Sequence, residues 1–434
     1  MKPVIILSGQ TLALGVVRAL GAMGVPVVLF HYDENAIAHV SKYVTCEAKV
    51  PHPERDEAGF IDSLLNRSEQ FEGALLLPVN DETLVPVSRN KDLLQRHYRV
   101  ACTDWDVTRS FIDKKQTYEL AEAHGIPAPW TFVPRSEEEV ISHASGVEFP
   151  CLVKPCQSHL FYDVFRQKMI PVKSVDEALE VYRQASRQNL EVMLQEIIPG
   201  DDAHVVNYNS YFSEGRPLVE FTAAHVRNAP PFFGSPRVAV SRSIPEVIEP
   251  GRKLLNCMGF YGFSCSEFKK DPRDGIFKLM EVNGRHNLST SLAVRCGINF
   301  PWLHYRHLMF GEVPEAVDFQ KEIYWIDGLR DLRYNILAYT HEKYSLRQYL
   351  RPYFKTHQFA IWDWQDSKPA LQRIRYVASR IFRSLVSRLP LVKRRPAMPG
   401  SKDGQREKSI SFSLRRLKIA KLMKMPPTDR CGEK

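Results

Sequence analysis

The sequence has no C-x-x-C pair, and its eight cysteines, at 46, 102, 151, 156, 257, 265, 296 and 431, fall mostly in apolar or strand-like stretches. A disulfide scaffold is excluded, and the expectation is reduced core thiols in a cytosolic protein. No apolar run approaches the roughly 20 residues that span a bilayer. The opening Met-Lys-Pro-Val-Ile-Ile-Leu-Ser-Gly-Gln has too short an apolar run for a secretory leader and leads into a turn. Glycine is missing where nucleotide fingerprints need it. The turn Ser8 to Gly15 has glycine only at 9 and 15, which is not G-x-G-x-x-G, and Val16-Val17 stand where a P-loop carries Lys and Ser or Thr. G-x-S-x-G and H-E-x-x-H are absent too, so neither a serine-hydrolase elbow nor a zinc-protease helix is present. No internal repeat is visible.

What is present is a globular composition of 434 residues, 44% hydrophobic and 25% charged. At roughly 100–200 residues per domain that is two to four units. The formal net charge of +9 suggests a polyanion partner, but residues 371–434 hold 18 of the 59 bases and 4 of the 50 acids, leaving 41 bases against 46 acids in the body. The body is therefore mildly acidic, and no nucleic-acid partner is expected. Within 371–389, Leu371, Ile374, Val377, Ala378, Ile381, Phe382, Leu385, Val386 and Leu389 recur at helical spacing, flanked by Arg373, Arg375, Arg380, Arg383 and Arg388. A helix lying in a lipid interface is built this way, and a helix docked on the body is nearly as good a reading. The expected location is cytoplasmic, with the 371–434 tail as a contact to the anionic inner membrane surface.

Along the chain, an apolar run at 3–7, a turn, a helical pattern from Leu12 to Met23 and a second run at 25–30 make a βαβ unit. A further buried strand at 73–78 ends in Val-Asn-Asp-Glu. A helix from Asp113 stops at Gly125-Ile-Pro, a strand at 149–154 ends in Lys154, and Ser174-Val-Asp-Glu177 opens another helix. Strands follow at 191–196, 204–212 and 217–227, then a helix at 246–258. The strands 262–269 and 275–282 form a hairpin around Asp271-Pro-Arg-Asp-Gly275. Residues 290–310 read as one helix, and the aromatic-rich 316–370 as helices packed on the body.

The hairpin is the most informative feature. It brings Glu267 beside Glu281, Asn283 and Arg285, which share one strand face at period two. Two adjacent carboxylates need cations, and hard oxygen ligands of this kind suit Mg2+ held jointly with phosphates. Lys114, opening a helix, and Lys154, ending a strand, can reach phosphate oxygens. Singly, each is as readily a surface residue.

In order along the chain stand Asp-Lys-(x)10-Gly-Ile-Pro at 113–127, Phe-Pro-Cys-Leu-Val-Lys-Pro at 149–155, Leu-Gln-Glu-Ile-Ile-Pro-Gly-Asp-Asp at 194–202, Arg-Asn-Ala-Pro-Pro-Phe-Phe-Gly-Ser at 227–235, Ser-Glu-Phe-Lys-Lys-Asp at 266–271 and Leu-Met-Glu-Val-Asn-Gly-Arg at 279–285. Across about residues 1–315 the chain resembles ATP-grasp enzymes, in particular the carboxylate–amine ligases of the D-aspartate ligase-like branch. The resemblance implies a mixed α/β and α+β fold. A doubly wound pre-ATP-grasp domain (1–105) would precede a small (106–190) and a large (191–315) ATP-grasp subdomain, with a helical extension (316–370) and a basic tail (371–434). It implies ATP held by Lys114 and Lys154, adenine read by backbone at Gln195, Glu196 and Ile198, and ribose hydroxyls bound by Asp202. Two Mg2+ ions, or Mn2+, would sit on Glu267, Glu281 and Asn283, with Arg285 by the transferred phosphoryl group.

Residues 155–167 contain no glycine, so Ser158, His159 and Lys168 take the place of a glycine-rich phosphate lid. Arg227 is expected to grip the γ-phosphate or the substrate carboxylate through its planar fork. His286 and Asn287 would face the acceptor, and Ser8, Gly9, Asn80, Asp81 and Glu82 either substrate. The implied reaction activates a small-molecule carboxylate as an acylphosphate and transfers it to an amine, with an amino acid as one substrate. A nucleotide-binding membrane-associated scaffold, a carboxylate–thiol ligase and a carbamoyl-phosphate-type kinase stay open as alternatives.

Overall fold

The computed structural model describes residues 1–144, 147–156, 161, 164, 165, 167, 169–231, 234–338 and 344–388. Ser158, His159, Lys168 and the tail beyond 388 lie outside the described residues.

The N-terminal sheet consists of β1 (Val4–Leu7), β2 (Val27–His31), β3 (Val44–Lys49), β4 (Leu75–Pro78) and β5 (Arg99–Val100), all parallel, in the order β3-β2-β1-β4-β5. β1 (Val-Ile-Ile-Leu) and β4 (Leu-Leu-Leu-Pro) are buried along their whole length, which is why both read as continuous apolar runs. Strand order reverses between β1 and β4. The turns after these two strands therefore border the crevice where such sheets take ligands. In the first turn a Cβ on Gly9 would fall 2.5 Å from Ala36 Cβ, so no larger residue fits.

A smaller antiparallel sheet contains β6 (Thr131–Phe132), β7 (Cys151–Pro155), β8 (Ile170–Val172) and β9 (Val192–Glu196), in the order β6-β9-β7-β8. Val140, Ala178, Leu179 and Ala185, from the helices Glu137–Ala144 and Val175–Ser186, cover it. Ser174 caps the second helix, accepting from the Glu177 N–H at 3.2 Å. The strand 191–196, assigned above to the large subdomain, pairs with β7 and belongs to this sheet.

The large sheet is built from β10 (Val205–Ser213), β11 (Arg216–Ala229), β12 (Ser235–Ser241), β13 (Gly262–Lys270), β14 (Phe277–Asn283), β15 (Tyr324–Ile326) and β16 (His357–Phe359), in the order β14-β13-β10-β11-β12-β15-β16. β15 and β16 correct the reading of 316–370 as helical: Tyr-Trp-Ile pairs with β12, and His-Gln-Phe joins it in parallel. Trp325 at the centre of β15 is 0% exposed, and its indole N–H donates to Ser291 Oγ at 3.0 Å. Residues 290–310 form two helices, Thr290–Arg295 and Phe300–Phe310, with Gly297 at φ 103° between them and Asn299 capping the second.

The last described helix, Lys368–Arg388, starts beside Asp366, whose carboxylate accepts from Arg18, Ser41 and the Lys42 N–H. Its first turn packs on the body through the buried Ala370, while part of the apolar stripe faces solvent. Leu371, Ile374, Val377 and Phe382 are 46%, 47%, 38% and 68% exposed. Among the described residues no helix is long and apolar enough to cross a membrane. Cys102, Cys151, Cys156, Cys257, Cys265 and Cys296 are free thiols.

Candidate active site

The β13–β14 hairpin sets Glu267 and Glu281 directly opposite each other, with Asn283 opposite Cys265 one step along. Asn283 donates to Glu281 Oε1 at 3.2 Å. On the other side of β13, Asn207 is the register partner of Glu267, so one row across three strands carries a carboxamide and two carboxylates. Behind it lie His225, 3.2 Å from Asn207 Oδ1, and Asn287, which donates to Asn209 Oδ1 at 2.6 Å. Burial holds the His225 imidazole neutral, with its pKa lowered to about 4.

Cations face this row from the other elements. Asp113 caps the helix Lys114–Ala123 by accepting from the Lys115 N–H at 3.0 Å. Tyr118 latches the same helix to β14 by donating to the Met280 carbonyl at 2.6 Å. Lys114 Nζ thereby comes to 3.5 Å from Glu281 Oε2. Burial works against the Lys114 charge, but Glu281, with Tyr118 and Asp81, outweighs it and raises the pKa.

Lys154, at the end of β7, is buried and donates to Gln195 Oε1. Burial, reinforced by the neighbouring charge of Lys114, lowers its pKa to about 7. Lys269 adds a third amine, whose charge also reaches Lys154. It is buried with a lowered pKa, and Asp202 is the strongest of the carboxylates opposing that shift. Lys269 went unremarked in the sequence because Lys-Lys-Asp before a turn reads as hairpin surface. Its place two residues beyond Glu267 on the same strand was the available signal.

Arg285 makes a two-pronged pair with Asp81, at 2.9 Å for each contact, so the hairpin end meets the N-terminal domain. Glycine is required just before it, since a Cβ on Gly284 would lie 2.3 Å from Phe111 Cζ. Near Asp81, Tyr32 donates to Glu82, and Asn80 donates to the Tyr32 hydroxyl at 2.6 Å. Burial raises the Glu82 pKa.

Asp202 is buried and accepts from the Asn228 N–H at 2.7 Å. Gln195 and Ile198 are buried. The Glu196 N–H donates to the Trp130 carbonyl at 3.0 Å, and its carboxylate accepts from the Trp130 N–H at 2.9 Å and from Arg273 at 2.8 Å. Glu196 thus ties the smaller sheet to the hairpin loop.

The structure does not bring Arg227 to the carboxylate row. Its guanidinium is buried and bound at both prongs by Asp331, at 2.9 and 2.8 Å, while Arg237 and the Tyr353 hydroxyl also donate to Asp331. Arg237 donates to the Asn228 carbonyl as well, which links this cluster to the backbone that Asp202 grips. His286 is buried and stacked on Phe263, with ring centroids 4.5 Å apart.

No family model matches the chain. The sequence is 26% identical over 291 residues to the D-aspartate ligase of Enterococcus faecium (strain Aus0004), a match covering 62% of this chain and 67% of that protein. It is 22% identical over 213 residues to the D-alanine–D-alanine ligase of Pseudomonas fluorescens (strain Pf0-1), covering 48% of this chain and 64% of that relative, which is less than two thirds of its length. Among solved structures, the ADP complex of purK, an N5-carboxyaminoimidazole ribonucleotide synthetase, has a TM-score of 0.59 over 78% of this chain and 86% of its own, at 13% identity. That likeness is one of fold. With its carboxylate row beneath three buried or half-buried lysines, the chain is thus similar in sequence to two amino-acid ligases and in fold to an ADP-binding synthetase.

Proposed function

We propose that the protein is an ADP-forming carboxylate–amine ligase with an amino acid as one substrate. The observation that carries the proposal is the cross-strand pair Glu267–Glu281 facing Lys114, which stands 3.5 Å from Glu281. A triphosphate needs what this arrangement supplies, amines for its oxygens and carboxylates for the metal that travels with it. The oxygen donors of Glu267, Glu281 and Asn283 fit two Mg2+ ions, or Mn2+, which when bound would offset the charge of the phosphates.

Lys114, Lys154 and Lys269 neutralise phosphate oxygens, and Lys168 is assigned to the lid. Asp202 accepts from the ribose hydroxyls, and backbone groups beside Gln195, Glu196 and Ile198 border the adenine. The substrate carboxylate oxygen attacks the γ-phosphorus in line and ADP departs, leaving an acylphosphate. Arg285 spreads its positive charge over the transferring oxygens. The amine then attacks the acyl carbon, inorganic phosphate leaves and the amine gives up a proton. The turns carrying Ser8, Gly9, Asn80, Asp81 and Glu82 border the crevice for the acid and amine. Both sequence relatives are named as ligases of D-amino acids, which makes amino acids the first substrates to try. Arg227, held by Asp331, is assigned a supporting role and Arg285 the catalytic one.

The test is ADP release by purified protein screened against pairs of carboxylic acids and amino acids. One pair should turn over, and Glu281→Ala should abolish that turnover. Unchanged turnover in the variant would remove the metal assignment. ATP binding with no acid-dependent hydrolysis would favour the scaffold reading.

We also propose that the helix Lys368–Arg388 lies on an anionic membrane surface, since it leaves Leu371, Ile374, Val377 and Phe382 exposed beside Arg375, Arg380 and Arg383. Sedimentation with anionic vesicles should fall sharply without residues 371–434. Equal sedimentation of both forms would sink the idea.

A further inference from the structure

The N-terminal sheet carries a second chemistry that the ligase reaction does not use. His31 ends β2, and Glu47 stands on β3 opposite Leu29, so period two makes His31 and Glu47 diagonal neighbours on one face. The short turn Ala38–Val40 lays His39 over His31, with ring centroids 5.1 Å apart and planes inclined by 22°. All three side chains are half-buried, and one ligand atom from each lies within 4.8 Å of the other two. Among the described residues, this is the one trio of His, Cys, Asp or Glu grouped in that way.

His31 Nε2 lies 3.6 Å from Glu47 Oε2, too long for a hydrogen bond. Two ligand atoms on a tetrahedral zinc ion are about 3.4 Å apart, given bonds of roughly 2.0–2.2 Å. His31 Nδ1 is buried without a hydrogen-bond partner. No hydrogen bond at Nδ1 dictates the tautomer of this ring, so Nε2, which faces Glu47, is free to carry the lone pair that a metal takes. We propose that His31, His39 and Glu47 hold one Zn2+, with water in the fourth position. Two imidazoles and one carboxylate form a donor set that zinc favours over Mg2+ or Ca2+, whose ligands are oxygens.

The site is placed to brace the substrate crevice. The carbonyl of Gly9 accepts from the Ile37 and Ala38 N–H groups at 2.7 and 2.9 Å, which hangs the His39 turn on the β1 turn. On its other side Gly9 abuts His31, since a Cβ there would lie 2.9 Å from His31 Cβ. An ion joining His31, His39 and Glu47 would therefore fix three elements around Gly9.

Full-length protein stripped with a chelator, then dialysed against Zn2+, should retain one equivalent by elemental analysis. His39→Gln and Glu47→Gln should each weaken its retention at least tenfold, while Glu281→Gln, at the separate carboxylate row, should leave it unchanged. Co2+ in place of Zn2+ should give the intense visible bands of a tetrahedral site, and this readout needs no variant to fold. Zinc uptake that survives both glutamine variants, uptake lost in Glu281→Gln, no uptake, or a Co2+ spectrum without tetrahedral bands would each overturn the site.

Discussion

Lys154 is the residue whose state most directly reports on the proposed chemistry. Burial and the charge of Lys114 bring its pKa from 10.5 to about 7. Between those values the unfolded chain holds a proton that the native one lacks, so this residue's contribution to stability rises with pH across that window. A bound polyphosphate reverses the preference by favouring the ammonium. At pH 8 ATP binding should therefore take up close to one proton, and at pH 6 almost none. Calorimetry in buffers of different ionisation enthalpy reads this directly, and equal uptake at the two pH values would contradict the assignment. Lys154→Met should raise the KM for ATP by roughly tenfold or more, as loss of a charge-assisted contact of about 1.5–3 kcal/mol implies. The cross-strand placement of Glu267 and Glu281 was legible in the sequence because period two fixes their face in the hairpin, and Lys114 and Lys154 could be placed at a helix start and near a strand end. Arg227 was not, because the group that claims it, Asp331, lies 104 residues further on and carries no local signal.

At the level of elements, β11, β12 and the helix Gly328–Ala338 meet at Asp331, which is fully buried between Arg227 and Arg237. Removing one partner of a buried ion pair leaves uncompensated charge and costs about 3–5 kcal/mol. Asp331→Ala should therefore lower Tm by several degrees in a thermal melt. Because Arg237 also holds the Asn228 carbonyl, the same change should raise the KM for ATP more than it lowers kcat. A second junction is Gly284 against Phe111. Gly284→Ala should impair ligase turnover, and adding Phe111→Ala should restore part of it by opening the space. The hairpin that carries these residues could be read from Asp271-Pro-Arg-Asp-Gly275 alone. β15 and β16 could not, since strands of three residues give too short a pattern to show a period and form only because β12 offers an open edge.

In the molecule as a whole, the basic excess lies in the tail, and the body is mildly acidic with lysines of its own beside the sheet that carries Glu267 and Glu281. Two of the contacts that join distant parts carry no local signal in the sequence. Arg285 reaches Asp81 across the chain, and Asp366 gathers Arg18, Ser41 and the Lys42 N–H from the N-terminal domain. Asp366→Ala should leave the kcat of the ligase nearly unchanged, yet hasten limited proteolysis near the start of the last helix. Protection equal to that of the unaltered protein would show that other contacts hold this junction.

The burial of Trp325 in β15 also gives the protein an internal optical probe. Its indole is sealed from solvent against Ser291, whereas Trp364 is 86% exposed. Emission from the first should be blue-shifted and shielded from iodide, and emission from the second red-shifted and readily quenched. Release of the C-terminal strands from the large sheet would move Trp325 from the shielded to the quenchable population, so loosening of this junction could be followed in real time without attaching a dye.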